Sequence, residues 1–385
     1  MTTVPSAHST SADSKEVSIS STLPQAEDWR EPIVRPHPSP VLERLFRRRT
    51  GLAPAVVPYV APHAWAYRPF LFLMNPDLEA LDASLCSQIC FVVARDNACR
   101  FCYGSFRAFL RVAGYSEAEL DHLEGEFHLN EVDSAERRAL EFAVQVSQGR
   151  LQQDPSVAPL ERAGYGPTAI REIVGVAVTA TLINRVATML AIPLNEDAES
   201  FTSQWYFDVM QPVLRTLLRG WQRYATPRAP PLDADAVEGP LAPWVRRLRG
   251  TCVGHVIHNC ARSWLRHDGA LPLRARLLVL AVVARGLHAP ALEDRAAALL
   301  AERCGVSDAA YDAAVDHLRG DAVGDRTENL LLLARESIRY EAGRIQPTVR
   351  EHVANLSRAE TIDAVATLGL TNALARLRAL ASLDN

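Results

Sequence analysis

The pattern that most restricts this chain is the spacing of its apolar residues. Along Glu136 to Ser147, Ile170 to Leu190, Leu273 to Arg285, Asp294 to Cys304 and Thr361 to Leu380 they recur every three or four positions, and sustained strand-type alternation is nearly absent. Many of these segments are rich in Ala and Leu, which lose little on entering a helix. The chain is therefore predicted to be all-α. Its punctuation agrees: Asp133-Ser134 before Glu136, and Ser307-Asp308, offer capping groups, while Gly114, Gly164 and Gly305 sit where helices should end. The longest apolar run, Ile173 to Ile183, is interrupted by Gly175, Thr179 and Thr181. It is too short to span a bilayer and is predicted to be a buried core helix.

The segment Thr226 to Pro240 breaks the helical pattern, with Pro227, Pro230, Pro231, Gly239 and Pro240 set among acidic residues. It reads as an interdomain linker. Divided there, the chain gives a tail over 1–28, a helical domain over 29–225, the linker over 226–240 and a second helical domain over 241–385. The halves resemble each other at a shift of roughly 190 residues: Leu85 to Cys102 lies over Arg274 to Ala291, and Ile170 to Leu190 over Thr361 to Leu380. One helical domain written twice is the expected plan for the 385 residues.

Composition narrows the function. With 41 basic and 45 acidic residues the net charge is −4, which gives no electrostatic case for nucleic acid. Met1 to Ser21 is rich in Ser and Thr, has no apolar core of the signal-peptide type and reads as a disordered tail. The expected location is the cytoplasm, with no membrane partner. The seven cysteines are odd in number and unevenly spaced, unlike a secreted disulfide framework. Four of them, Cys86, Cys90, Cys99 and Cys102, fall in one short stretch.

The sharpest motif is Asn97-Ala98-Cys99-Arg100-Phe101-Cys102-Tyr103-Gly104-Ser105-Phe106, directly after the apolar helix Leu85 to Ala94. With Asn97 as N-cap, Cys99 enters the first turn of the next helix and Cys102 follows one turn later. Exposed N–H groups, the positive helix end and the Arg100 cation would then favour a thiolate. Three-residue spacing sets both sulfurs on one face, near enough to close a disulfide. A dithiol that ionises and closes is the minimum for thiol–disulfide exchange or peroxide reduction.

On this order of elements, an apolar helix, a short turn, Cys-x-x-Cys opening the next helix and a later helix holding Asn184-Arg185, the chain resembles the carboxymuconolactone decarboxylase and alkyl hydroperoxidase D superfamily over roughly Leu42 to Leu194. The resemblance implies two tandem alkyl hydroperoxidase D-like helical bundles forming a pseudo-dimer, and association into homo-oligomers. It also implies reduction of a hydroperoxide or disulfide without a cofactor, with Cys102 attacking and Cys99 resolving, or the reverse, and a dithiol reductant as partner. The family's glutamate and histidine relay is replaced here by Ser87 and Phe106, and a further histidine by Phe101. Gln88, Asp96 or His128 are the substitutes at hand, and Arg100 and Tyr103 flank the thiols. Aligned at the same shift, the second half carries His288 and Ala291 for the two cysteines, Arg276 for the upstream glutamate and Arg295 for the downstream histidine, so its copy is degenerate.

The remaining groups divide less sharply. Cys86 and Cys90 share a helix face and are expected in the core, with a disulfide relay to the pair left open. Cys252, His255, His258 and Cys260 form a cluster ill-suited to a metal if they lie on one uninterrupted helix, so no metal is expected, with Cys252 and His255 the residues to examine. His63, Trp65, Tyr67 and Trp205 could line a hydrophobic pocket between domains. A binding scaffold without catalysis, and a non-redox enzyme of the decarboxylase type, are the alternative functions.

Overall fold

A computed structural model describes residues 29–383 except 52, 62, 126–133, 150–155, 195, 225–229, 267–268, 319–324 and 340–341. The described chain is all-helical, with no strand among the described residues. It opens with α1 Pro40–Thr50, α2 Val57–Val60 and α3 Ala64–Met74. There follow α4 Ala83–Asp96, α5 Arg100–Ala113, α6 Glu117–Gly125, α7 Ala135–Gln148, α8 Ala158–Arg162 and the long α9 Pro167–Met189. Next come α10 Glu196–Thr202 and α11 Phe207–Tyr224. The remainder holds α12 Ala242–Val245, α13 Cys252–Arg266, α14 Leu273–Gly286, α15 Pro290–Cys304, α16 Asp308–Asp316, α17 Asp325–Glu336, α18 Ala342–Val353 and α19 Arg358–Arg376. The tail 1–28 and His128 lie outside the described residues.

The helix ends follow the local chemistry. Ser134 accepts the Arg137 N–H at 3.1 Å, and Ser357 and Glu360 cap α19 reciprocally. Gly114 and Gly305 close α5 and α15 in the left-handed conformation, which costs glycine no Cβ clash.

The centre of the molecule is α9 lying along α19. The helix predicted from Ile173 to Ile183 is α9, and although it has the length and hydropathy to cross a bilayer, that stretch is wholly buried inside the fold. The two backbones come close at Gly369, where a Cβ would stand 3.1 Å from the Leu182 carbonyl oxygen. Helices α4 and α7 pack on α9, while α14 packs on α19 and α17 packs on α14.

Contacts recur at residues 190 or 191 positions apart. Arg185 donates through Nε to the Ser337 carbonyl at 3.0 Å, and Arg376 donates through Nε to the Ser147 carbonyl at 2.8 Å. Glu172 accepts the Leu81 N–H at 2.9 Å, and Asp363 accepts the Leu271 N–H at the same distance. Glu172 takes two further N–H groups, from Glu79 and Ala80, so its buried carboxylate is fully occupied by backbone. The predicted linker is partly built into the fold: Leu232 and Val237 are buried, and the Leu232 and Gly250 backbones are tied through the bonds Leu232 N–H to Thr251 O and Gly250 N–H to Leu232 O.

Candidate functional site

The Cys-x-x-Cys segment forms the junction of α4 and α5. Asn97 is not the N-cap expected from the sequence. It caps the end of α4, and its side chain is held between the Val93 carbonyl, the Ser147 hydroxyl and the Arg185 guanidinium at 2.9, 2.7 and 3.1 Å. Ala98 then turns the chain at φ 47°, and Cys99 itself becomes the N-cap of α5. Its Sγ accepts the backbone N–H of Cys102 at 3.4 Å, the bond a serine or aspartate would make there.

The two sulfurs are neighbours, as the spacing predicted, but neither is exposed. Cys99 is 0 % and Cys102 2 % accessible. Burial pushes the Cys102 thiol well above the ordinary thiol range, reinforced by its hydrogen bond with Cys99 and by the nearby Cys99 and Cys90 charges. At Cys102 desolvation thus outweighs the helix dipole, and Cys102 is not the one thiol of the two that the sequence leads one to expect as easily ionised. Arg100 does not offset it. Its guanidinium forms a two-pronged pair with Glu199 of α10 at 2.8 and 2.5 Å, over the backbone of Gly104, where a Cβ would collide with the carboxylate.

Cys86 and Cys90 are buried on α4, and the Cys90 thiol is pushed up by burial, then by its hydrogen bond with Cys86. Cys90 also acts on Cys102, so the four thiols form a chain of neighbours, Cys86 to Cys90 to Cys102 to Cys99. Ser87 donates to the Ala83 carbonyl at 2.9 Å, and Gln88 donates to the Tyr115 hydroxyl at 2.8 Å. Asp96 accepts from Gln148 at 2.7 Å. Gln88 and Asp96 thus have partners of their own away from the thiols. Tyr103 stacks on Phe91 with centroids 5.2 Å apart and donates to Glu124 at 2.5 Å, and burial followed by that bond raises its pKa.

In the second half, α14 and α15 make the same junction, but the register is 190 and not the 189 used in the sequence alignment. Cys99 corresponds to the N-cap Ala289, Ala98 to His288 at φ 53°, and Cys102 to Leu292. Cys252 donates to Glu79 at 3.6 Å, and burial followed by the Asp77 and Glu79 charges pushes its thiol up to about 12. Burial lifts Cys260 to about 12 and lowers His255 and His258, which Arg262 lowers further. Among the described residues no three His, Cys, Asp or Glu side chains gather as a metal ligand set. His63 and Trp65 pack together with ring centroids 5.2 Å apart, whereas Trp205 is 84 % exposed and takes no part in a shared pocket with them.

The sequence reading missed Glu199, the serine carbonyls that receive Arg185 and Arg376, and the Glu172 and Asp363 clamps. For the clamps a signal existed: an acid in an otherwise apolar helix, repeated 191 positions later. The chain matches no family model, no curated protein and no solved structure.

Proposed function

We propose that the protein is a thiol-dependent oxidoreductase working through Cys99 and Cys102, resembling alkyl hydroperoxidase D, in a reducing compartment such as the cytoplasm. The observation that carries this is the Cys99 Sγ seated on the Cys102 N–H with the Cys102 thiol beside it. A peroxide oxygen would be attacked by one sulfur, breaking the O–O bond, releasing the alcohol with a proton and leaving a sulfenic acid. The second thiol then displaces water and closes the disulfide, and a dithiol reductant returns the two electrons. Cys99, which holds the N–H donor, is favoured as the attacking sulfur, because the Cys102 thiol is held protonated. This is the second of the two orders that the sequence leaves open.

The reciprocal Arg185 and Arg376 bonds, the Glu172 and Asp363 clamps and the matching junctions support two tandem helical bundles arranged as a pseudo-dimer, the second without thiol chemistry. Association into homo-oligomers belongs to the same proposal. Exposed Val209, Val213 and Leu217 on α11 support it.

A second reading, a binding scaffold without redox activity, is favoured by the burial of both thiols. One experiment separates the two. Thiols are counted after a hydroperoxide pulse in the wild type and in Cys99→Ser and Cys102→Ser, with peroxide consumption followed in the presence of a dithiol. Loss of two thiols in the wild type, one disulfide, and none formed in either variant supports the enzyme. Oxidation no faster than that of a free thiol in solution supports the scaffold.

A further inference from the structure

A second candidate site lies where α4, the end of α5 and α11 border an open cavity of about 380 Å³. Its charged walls are Arg215 and Arg219, both exposed and one turn apart on α11, and the exposed Glu119. Arg215 is braced over the left-handed turn at Gly114, whose added Cβ would stand 3.0 Å from its Nη1. Neither arginine has a hydrogen bond or ion pair among the described residues. Glu119 makes no ion pair with them: its Oε2 accepts both the N–H and the hydroxyl of Ser116 at 2.7 Å, which lowers its pKa and leaves one anion against two cations in the wall.

The hydroxyls on the α4 side add a donor. Ser84 and Tyr115 share one hydrogen bond at 2.5 Å, and Gln88 donates a second to the tyrosine oxygen at 2.8 Å. Two hydroxyls hold two protons, and their mutual bond uses one. Whichever of the two donates it, one O–H remains for a further acceptor, and both residues line the cavity. Phe109 and Leu218 supply an apolar wall.

We propose that this cavity binds a small molecule bearing an oxyanion, a carboxylate or phosphate, with the anion held by Arg215, Arg219 and the free hydroxyl proton of the Ser84–Tyr115 pair. Two guanidinium groups without a carboxylate committed to them, beside a hydroxyl donor, are complementary to an oxyanion. The apolar wall gives a short hydrocarbon body a place beside it. The site stands independently of the thiols and would hold whether or not they are redox-active.

The test is calorimetric titration of the full chain with octanoate, inorganic phosphate and octanol, repeated on Arg215→Met, Arg219→Met and Ser84→Ala, with Arg47→Met as an exposed-arginine control. Methionine keeps helix propensity, so α11 should persist, checked by circular dichroism. Saturable binding of octanoate or phosphate is expected. Each α11 variant should weaken it about tenfold, Ser84→Ala less, and Arg47→Met not at all. Octanoate stronger than phosphate would identify a carboxylate with a hydrocarbon body, and the reverse a phosphate. Absence of saturation by both anions below about 10 mM, equal binding of octanol, or affinity unchanged in both arginine variants would overturn the site.

Discussion

The α4–α5 and α14–α15 junctions use one backbone for two side-chain sets. In the first, the Cys99 N–H reaches the Ala94 carbonyl at 2.9 Å after Ala98 turns at φ 47°. In the second, the Ala289 N–H reaches Ala284 at 2.8 Å after His288 turns at φ 53°. A left-handed non-glycine residue costs on the order of 1 kcal/mol, and both junctions bear it. Alanine and leucine build the second as readily as two cysteines build the first, so the turn does not require sulfur. The same comparison extends to the centre of the fold, where Arg185 and Arg376 bridge reciprocally to the serine carbonyls 190 positions apart.

The strongest challenge to that equivalence is removal of either central arginine. Arg185→Met leaves the Ser337 and Ile338 carbonyls and the Asn97 side chain short of a donor, and Arg376→Met does the same to Ser147 and Asn372. Each is expected to cost about 3 kcal/mol or more in denaturant unfolding. A large loss in only one variant would break the correspondence.

The clamps should differ in degree. Glu172→Gln disturbs an acceptor of three N–H groups, and Asp363→Asn one that takes the Leu271 N–H; losses of about 2 and about 1 kcal/mol are expected from the same measurement. Equal losses would mean that the extra two bonds of Glu172 contribute nothing.

Alkaline titration compares the thiols of the two halves. Below the ordinary thiol range, folded and unfolded chains both hold the protons of Cys90, Cys102, Cys252 and Cys260. Above about pH 8.5 the unfolded chain releases them while the folded chain, its thiols raised, retains them. The folded state then binds more protons, so stability falls as pH rises, by about 1.4 kcal/mol per pH unit for each thiol at most. Changing Cys102 to Ala in one protein and Cys260 to Ala in another should each flatten the unfolding-versus-pH curve; no change in slope would contradict burial as the cause.

Copying the second junction into the first gives a smaller effect on folding. Cys99→Ala combined with Cys102→Ala should cost about 1 kcal/mol per residue or less in thermal unfolding, while abolishing disulfide formation. A failure to fold would show that the sulfurs are structural after all. The smallest change is expected from Arg100→Ala. Its pair with Glu199 is partly solvated, which limits the loss to about 1 kcal/mol.

Much of the frame was legible because it depends on short-range rules. The three- and four-residue spacing marked the helices, Ser134 and Ser307 their starts, Gly114 and Gly305 their ends. The Cys-x-x-Cys spacing placed two sulfurs together because three residues on a helix are one turn. At this junction the sequence register of 189 was off by one, since a gapless alignment of Ala- and Leu-rich helices has little to fix it, whereas the positive φ of Ala98 and His288 fixes it at 190.

The sequence by itself determined an all-helical chain, the position of its long core helix and the adjacency of Cys99 and Cys102, because periodicity, capping and one-turn spacing act within a few residues. Only the tertiary structure decided that those thiols are buried, that Arg100 pairs with Glu199 and not with them, and that Arg215 and Arg219 stand over the cavity beside Ser84 and Tyr115. Desolvation and charge pairing depend on which helices meet across the fold, and no local pattern records that.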